Sequence, residues 1–449
     1  MIILKFSSKN VRIFVVIVFA FCAFFDDFPC LILGQGAISR VIVVDSSGHG
    51  HFRSLQHAIN SVPLGNKKWI EIQIRPGVYY EKVTIPLNKQ YISLVGKDRQ
   101  RTVIEWWAGG GRDTLAYSTF SVFADNFVAR NITFKNSYHA ALISQAPAVV
   151  LYGDKAAFYE CGFVGIQDTL TDLIGRHYFG SCYIEGYVDF IWGYGQSVYQ
   201  GCTINVTSGP YDDRIYGAGY ITAQGRQSKA DTNGFVFKYC TVVGTSYGYL
   251  GRPYQTYSRV VFYKSYLSDI VVPQGWNPGF TYGDTITREE VECRGPGADT
   301  SKRVKWGRSL KSEELDHLVN INTFINQEHW IEYQPSPTRT RPRSRTRSRP
   351  RSKPRPKFRP RSYFDNFYGP RTYGQNVFRP RSYYDHLYNS EIYDQNFFRP
   401  RTYDQNLLRP RAYDENFYRP RKYDQNFLRT MKNFYQHRTL PSLDPSDYD

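Results

Sequence analysis

Methionine is nearly absent, with 2 in 449 residues, and no apolar run reaches the roughly 20 residues that a bilayer-spanning helix needs. The run from Ile13 to Phe25 covers 13 residues, follows Lys5, Lys9 and Arg12, and is broken by Asp26 and Asp27. That is the pattern of a cleaved secretory signal, not of an anchor. Cysteine is also sparse, 7 in all, with no CxxC pair and no Cys/His cluster, so nothing points to a metal centre or another bound cofactor. Charge of one sign is missing from the front of the chain. Residues 1–334 carry 32 Lys+Arg against 29 Asp+Glu, whereas Pro335 to Asp449 carries 25 against 11. The net charge of +17 therefore belongs to the tail and says little about the front domain.

What is abundant is aromatic, with 37 Tyr and 30 Phe, a composition suited to pleated, half-buried surfaces more than to a helical bundle. Residues 41 to about 280 read as many short strands punctuated by Gly, Asn and Asp, for example Val41–Val44, Ile70–Ile74, Tyr91–Val95 and Gly234–Phe237. Ser54 to Val62 is the one convincing early helix, with Leu55, Ala58, Ile59 and Val62 on one face. Aligning the strands exposes a repeat: Asn131-Ile-Thr-Phe, Cys161-Gly-Phe-Val, Cys182-Tyr-Ile-Glu, Cys202-Thr-Ile-Asn, Cys240-Thr-Val-Val and Ser265-Tyr-Leu-Ser. Successive offsets of 30, 21, 20, 38 and 25 residues predict an all-β solenoid, a parallel β-helix with loop insertions, ahead of a β-sandwich. Residues 311–334 contain short helical stretches, with Ser312 as an N-cap and Leu315 and Leu318 facing the body, expected to cap the end of the solenoid. The expected organisation is a signal peptide at 1–36, a β-helix domain at 37–334 and a tail at 335–449. The tail repeats Arg-Pro-Arg-x-Tyr, as at Arg359–Tyr363 and Arg399–Tyr403, and its regular proline and charge predict disorder.

The densest chemistry lies between Gln145 and Gly193. Asp168 and Asp189 are 21 residues apart, one solenoid period, which puts them on adjacent turns at nearly the same angle. Stacked strands lie about 4.8 Å apart. Two carboxylates that close push one pKa up and leave the other ionised, which supplies an acid and a nucleophile at one pH. Gln145 and Gln167 offer neutral donors for a developing oxyanion. Arg252 is placed to orient one aspartate and keep it charged. The bland reading is that both aspartates merely cap turns, and spacing alone does not choose between the two.

Several segments together resemble the signature blocks of the pectin methylesterases, carbohydrate esterases of plant walls and their pathogens. They are Asp45-Ser-Ser-Gly-His-Gly-His-Phe52, Gly77-Val-Tyr-Tyr-Glu81, Gln145-Ala146, Gly165-Ile-Gln-Asp-Thr-Leu170, Val188-Asp-Phe-Ile-Trp-Gly193 and Leu250-Gly-Arg-Pro253. The resemblance spans roughly Val41 to Gln334 and implies a right-handed parallel β-helix. It implies that Asp189 is the nucleophile on the C6 carbonyl of a methyl galacturonate. Asp168 is then the acid that protonates departing methanol and the base for the hydrolytic water. Gln145 and Gln167 line the oxyanion hole, Arg252 pairs with the nucleophile, and Arg252, Tyr254 and Gln145 touch substrate. No metal or organic cofactor is implied, and Cys161 and Cys182 match a disulfide of plant members. The implied partner is methyl-esterified homogalacturonan, met by a monomer secreted to the cell wall. Tyr254 stands where the family usually has Trp, Trp192 where it has Phe, and Pro147 where a non-proline is common. The inhibitor-like pro-region of many plant members has no counterpart, because the signal runs almost directly into the catalytic body.

Other signals weigh less. Gly244-Thr-Ser-Tyr-Gly248 matches G-x-S-x-G, but no helix pattern follows it, as a nucleophile elbow requires. Asn131-Ile-Thr and Asn205-Val-Thr are glycosylation sequons. The Ser/Arg alternation at Arg343–Arg349 looks like an RNA-binding tract, but a secreted chain does not meet that partner. The tail is instead expected either to tether the protein electrostatically to de-esterified pectin or to be a solvated extension. The alternative to an esterase is a wall-polysaccharide-binding protein without turnover that uses the groove and the basic tail.

Overall fold

The structure, a computed structural model, describes residues 36–110, 114–279, 281 and 283–336. The expected signal peptide, and the tail beyond Pro335 and Ser336, lie outside the described residues.

Successive turns of the chain contribute strands to three parallel sheets, of ten, seven and eight strands, and the central turns contribute one to each. One rung is Ala156–Tyr159, Gly162–Val164 and Leu170–Asp172, and the next is Arg176–Gly180, Tyr183–Gly186 and Ile191–Gly193. Pairing runs from rung to rung in register, as in Phe158 opposite Phe179 and Leu170 opposite Ile191. This is the parallel β-helix that the periodicity predicts, and the four strands named from sequence all form. One unit of the repeat was misaligned by a residue. Gly162 pairs with Thr133, so Cys161 stands opposite Ile132 and not Asn131. Asn131 belongs to the turn, where it adopts a left-handed conformation with φ 57°. Glu160, Ser181, Gly201, Tyr239, Lys264 and Glu292 do the same at the matching corner of later rungs. One left-handed residue turns the chain from the ten-stranded to the eight-stranded sheet at almost no cost in length.

Inward-facing residues stack in columns. Phe158, Phe179, Tyr199, Phe237 and Phe262 form a continuous pile with ring centroids 4.5–5.4 Å apart and planes within 12°. Full burial of each such ring is worth about 1.5–3 kcal/mol, and stacking adds roughly 0.5–1.5 kcal/mol per pair. At the N-terminal end, helix Leu55–Asn60 covers the first rung with Leu55, Ala58 and Ile59. Ser54, counted inside the expected helix, is its N-cap, and the distant Glu81 caps it too: its carboxylate accepts from Leu55 N, Gln56 N and the Ser54 hydroxyl. The last residue of the Gly77–Glu81 block is therefore a helix cap on this chain.

Helices Ser312–Val319 and Ile321–Phe324 form where helical stretches are predicted, but they do not close the solenoid's end. Leu318, Phe324, Ile325 and Trp330 pack sideways onto Ala157, Val198, Val236 and Val261. Those four residues are an outward-facing apolar column of the ten-stranded sheet, which must be covered somewhere. The N-cap position is Lys311, not Ser312. The Glu314 carboxylate accepts from Lys311 N and pairs with Arg308, which holds its carboxyl down at about 2.

Candidate active site

The site forms on the approach to the seven-stranded sheet. Gln145 bridges Gln167, and Gln167 bridges Val188, so the three stack on successive rungs just ahead of strands Val149–Leu151, Leu170–Asp172 and Ile191–Gly193. Asp168 N donates to Val188 O at 3.1 Å, and Leu170 pairs with Ile191. Asp168 and Asp189 thus occupy equivalent positions on adjacent rungs, about 4.8 Å apart along the stack. The amide groups of Ala148 and Val149 both donate to Thr169 O, which marks one extra residue in the Ala146-Pro147-Ala148 segment. Pro147 sits in that bulge, where its carbonyl accepts from Thr119 N and Asn136 Nδ2.

Both aspartates have left-handed backbones, φ 57° at Asp168 and 49° at Asp189. For a residue with a Cβ this costs roughly 1–2 kcal/mol, the kind of local strain found where a side chain must be aimed. Close packing holds the two turns. A Cβ at Gly186 would lie 2.3 Å from Phe190 Cβ and 2.8 Å from Thr169 Oγ1, so the second turn nests against the first only with glycine there.

The two carboxyls have different surroundings. Arg252 forms a two-pronged pair with Asp189, Nε to Oδ1 at 2.8 Å and Nη2 to Oδ2 at 2.5 Å. The arginine is supported from its other side by the Tyr220 ring, 4.2 Å from the guanidinium carbon, and Tyr220 stacks on Tyr249 of the next rung at 5.5 Å. Asp168 is 4% exposed. Burial first, and then the neighbouring Asp189 charge, push its pKa well above the usual carboxylate range, against a smaller opposing pull from Arg252. Burial and the neighbouring charge therefore favour the protonated form of Asp168 beside the ion-paired Asp189. Gln167 is buried and Gln145 half-buried, and no described residue bonds to either side-chain amide, so both keep free donors beside the pair.

Tyr254 lies two residues past Arg252 in an edge-to-face cluster with Trp192 at 5.5 Å and Tyr194 at 6.1 Å. The structure thus brings together Asp168, Asp189, Gln145, Gln167, Arg252 and Tyr254. It does not form the expected Cys161–Cys182 disulfide: the five described cysteines are all free. They are stacked thiols that donate to inward carbonyls, Cys161 to Tyr159 O and Cys182 to Phe158 O. In-register parallel rungs set neighbouring Cβ atoms near the 4.8 Å strand spacing, beyond the roughly 3.5–4.5 Å that a disulfide needs. Among the described residues, no group of three or more His, Cys, Asp and Glu side chains is placed to hold a metal. Ser246 of the G-x-S-x-G match is buried, its hydroxyl bonded to Ser208, and strand Gly248–Gly251 follows it.

Sequence reasoning missed Tyr220, Tyr249 and Tyr194. The first two had a visible signal in the recurring Gly219-Tyr-Ile and Gly248-Tyr-Leu triplets, which pair in register. It also missed a buried network four residues past Asp168. Asp172 Oδ1 meets His177 Nδ1 at 2.5 Å, Tyr199 donates to Asp172 Oδ2 at 2.6 Å, and His177 Nε2 faces Gly153 O at 2.9 Å.

Comparison with known proteins agrees with this geometry. The Pectinesterase family model matches residues 41–328. Probable pectinesterase 29 of Arabidopsis thaliana is 44% identical over 339 residues, covering 73% of this chain and 98% of that protein. Probable pectinesterase 55 of the same plant is 46% identical over 305 residues, covering 66% and 91%. Among solved structures, the pectin methylesterase from carrot superposes with a TM-score of 0.59 at 31% identity, covering 65% of this chain and 94% of that one. A pectin methylesterase in complex with a hexasaccharide superposes with a TM-score of 0.55 at 25% identity, covering 64% and 97%.

Proposed function

The chain belongs to the pectinesterase family and hydrolyses the methyl esters of pectin, and we propose that Asp189 is its nucleophile and Asp168 its acid and base. In this reading an Asp189 oxygen attacks the C6 carbonyl carbon of a methyl-esterified galacturonate. The carbonyl oxygen becomes an oxyanion, held by the side-chain amides of Gln145 and Gln167. Asp168 gives its proton to the methoxy oxygen as the C–O bond breaks, and methanol leaves. The acyl-enzyme is an anhydride between substrate and Asp189. Asp168, now a carboxylate, takes a proton from a water whose oxygen attacks the same carbon; the anhydride opens, Asp189 is restored and Asp168 is reprotonated. Arg252 acts throughout as the counter-ion that aims Asp189, and Tyr254 with Trp192 offers an aromatic wall to the sugar.

The observation that carries this assignment is the asymmetry of the pair: Asp189 clasped by Arg252, and Asp168 buried and raised. Methanol release from highly methylated pectin tests it. Asp189→Ala should abolish release, at a stability cost of roughly 3–5 kcal/mol from the unpaired Arg252 that still leaves a folded chain able to bind polymer, and substantial turnover by that variant would refute the role. The alternative of a polysaccharide-binding protein without turnover is not favoured, because Asp189 and Arg252 are present and paired and Asp168 is present and buried on the adjacent rung.

The finer reading includes secretion through residues 1–36, action in the cell wall by a monomer of residues 37–334, and methyl-esterified homogalacturonan as the bound stretch. It extends to the tail. The excess of Lys and Arg from Pro335 onward supports an electrostatic tether to the polyanion that the reaction makes. Binding of residues 335–449 to polygalacturonate should weaken steeply between low and high salt, and salt-independent or absent binding removes the tether.

A further inference from the structure

Away from the catalytic turns, between the ten-stranded sheet and the C-terminal helices, runs an open groove of about 730 Å³. One wall is tyrosine: Tyr159, Tyr178, Tyr239 and Tyr263. The sheet register explains the gap between them. Tyr159, Gly180, Gln200, Lys238 and Tyr263 pair successively along one column, and Gly180 has no side chain to fill its place. A Cβ there would lie 3.0 Å from the Tyr178 ring and 3.3 Å from that of Tyr159, so the two rings lean over the glycine. Their centroids are 5.5 Å apart, and those of Tyr239 and Tyr263 are 6.0 Å apart.

The opposite wall is polar. Asn320 Oδ1 accepts from Asn322 N, and Asn322 Oδ1 accepts from Asn326 Nδ2. The Nδ2 donors of Asn320 and Asn322 and the Tyr178 hydroxyl have no partner among the described residues. The charges do not favour an anion. Lys238 is the cation on the wall, turned onto Val319 O, and it stands against Asp316 and Glu332. Flat aromatic faces, spare amide and hydroxyl donors, and no excess positive charge suit an uncharged, hydroxyl-bearing ring more than a polyanion. For a galacturonan, the uncharged form is the methyl ester.

We propose that this tyrosine groove is a second carbohydrate site, on a different sheet from the catalytic aspartates, that holds a methyl-esterified stretch of the same polymer. The proposal rests on the reading of the chain as an esterase of pectin. Its consequence is retention: a polymer held on one face raises the effective concentration of ester at the other.

Calorimetric titration of the full chain carrying Asp189→Ala with a highly methyl-esterified oligogalacturonide tests the site directly. A stoichiometry near two is expected, falling to one when Tyr239→Ala and Tyr178→Phe are added. Tyr239 is half exposed, so its removal should leave the melting temperature unchanged. In the otherwise wild-type chain, Tyr239→Ala with Tyr178→Phe should raise KM for polymeric pectin roughly 3–10-fold, with kcat and the hydrolysis of a short methyl galacturonide unaltered. A single class of site indifferent to both substitutions, an unchanged polymer KM, or a groove that prefers the de-esterified chain overturns the proposal. Absence of methanol release from the unmodified chain would instead overturn the catalytic reading, so the two failures are distinguishable.

Discussion

Arg252 holds both carboxylate oxygens of Asp189 with one planar group, and the Tyr220 ring lies across the other side of that group. A lysine at this position keeps the charge but not the two-pronged grip or the flat stacking face. Arg252→Lys should therefore lower kcat by about 10–100-fold with little change in KM, because aim and not binding is lost. Arg252→Ala should in addition destabilise the fold by roughly 3–5 kcal/mol, the usual cost of leaving a buried charge unpaired. Steady-state kinetics together with denaturant melts separate the two effects. Full activity in Arg252→Lys, with loss confined to Arg252→Ala, would show that charge alone matters.

Asp168 links activity to stability. Its folded pKa is raised, so the folded state binds this proton more tightly than the unfolded chain does. The contribution to stability is fully present below the unfolded pKa and is lost as pH rises through the folded one. Neutral pH thus strains the protein at this residue. Asp168→Asn is an uncharged isostere that should raise the melting temperature at pH 7 by roughly 2–4 °C, about 1 kcal/mol for a domain of this size. It should also cut kcat by about 10²–10⁴-fold, the range for a lost general acid. In the unmodified chain, kcat should fall on the alkaline side as Asp168 loses the proton that methanol needs. A pH–rate profile and a melting curve check both, and a destabilised Asp168→Asn would contradict the burial argument.

The two glutamines should behave alike in chemistry and differently in stability. Each is expected to supply a donor to the oxyanion, so Gln145→Ala and Gln167→Ala should each lower kcat by about 10²–10³-fold, with KM nearly constant. Gln167 is 5% exposed and stacked between rungs, so its truncation should also lower the melting temperature, whereas that of half-buried Gln145 should not. A KM effect without a kcat effect at either position would assign it to ground-state binding instead.

How much of this was readable from the chain depends on range. The rung period was legible because each rung repeats the same inward apolar residues, and the Asp168–Asp189 juxtaposition follows directly from a period of 21. Arg252 was found through its motif and not through spacing, since 63 residues and two loop insertions separate it from Asp189. The disulfide is implied by the family resemblance alone, and in the structure Cys161 and Cys182 are free thiols. Parallel in-register stacking keeps Cys161 and Cys182 neighbours without letting their Cβ atoms converge. The C-terminal helices were recognised by their periodicity, but where they dock is set by Ala157, Val198, Val236 and Val261. Those residues lie on four different rungs and carry no mark of facing outward. The Tyr220 support for Arg252 was hidden for the same reason: its meaning depends on which residue sits on the rung above.

The buried Asp172–His177–Tyr199 network gives a last test, of the scaffold that follows the catalytic turn. All three side chains are fully buried, and Asp172 lies in the strand that Asp168 leads into. Burial opposes the charge on His177, but the adjacent Asp172 carboxylate, with help from Gly153 O and Asp154, outweighs it and leaves the pKa above its ordinary 6.5. A raised folded pKa means stability that is complete below the unfolded value and is lost as pH climbs through the folded one. The melting temperature of the unmodified chain should therefore decline from about pH 6 to pH 8 through this group. His177→Gln removes the titration but leaves Asp172 without its cation, at a cost of roughly 3–5 kcal/mol at pH 6. The double variant Asp172→Asn with His177→Gln should recover part of that loss, since no buried charge is then left over. If His177→Gln keeps the same slope of melting temperature against pH as the unmodified chain, the histidine is neutral in the fold and the pair is an ordinary hydrogen bond.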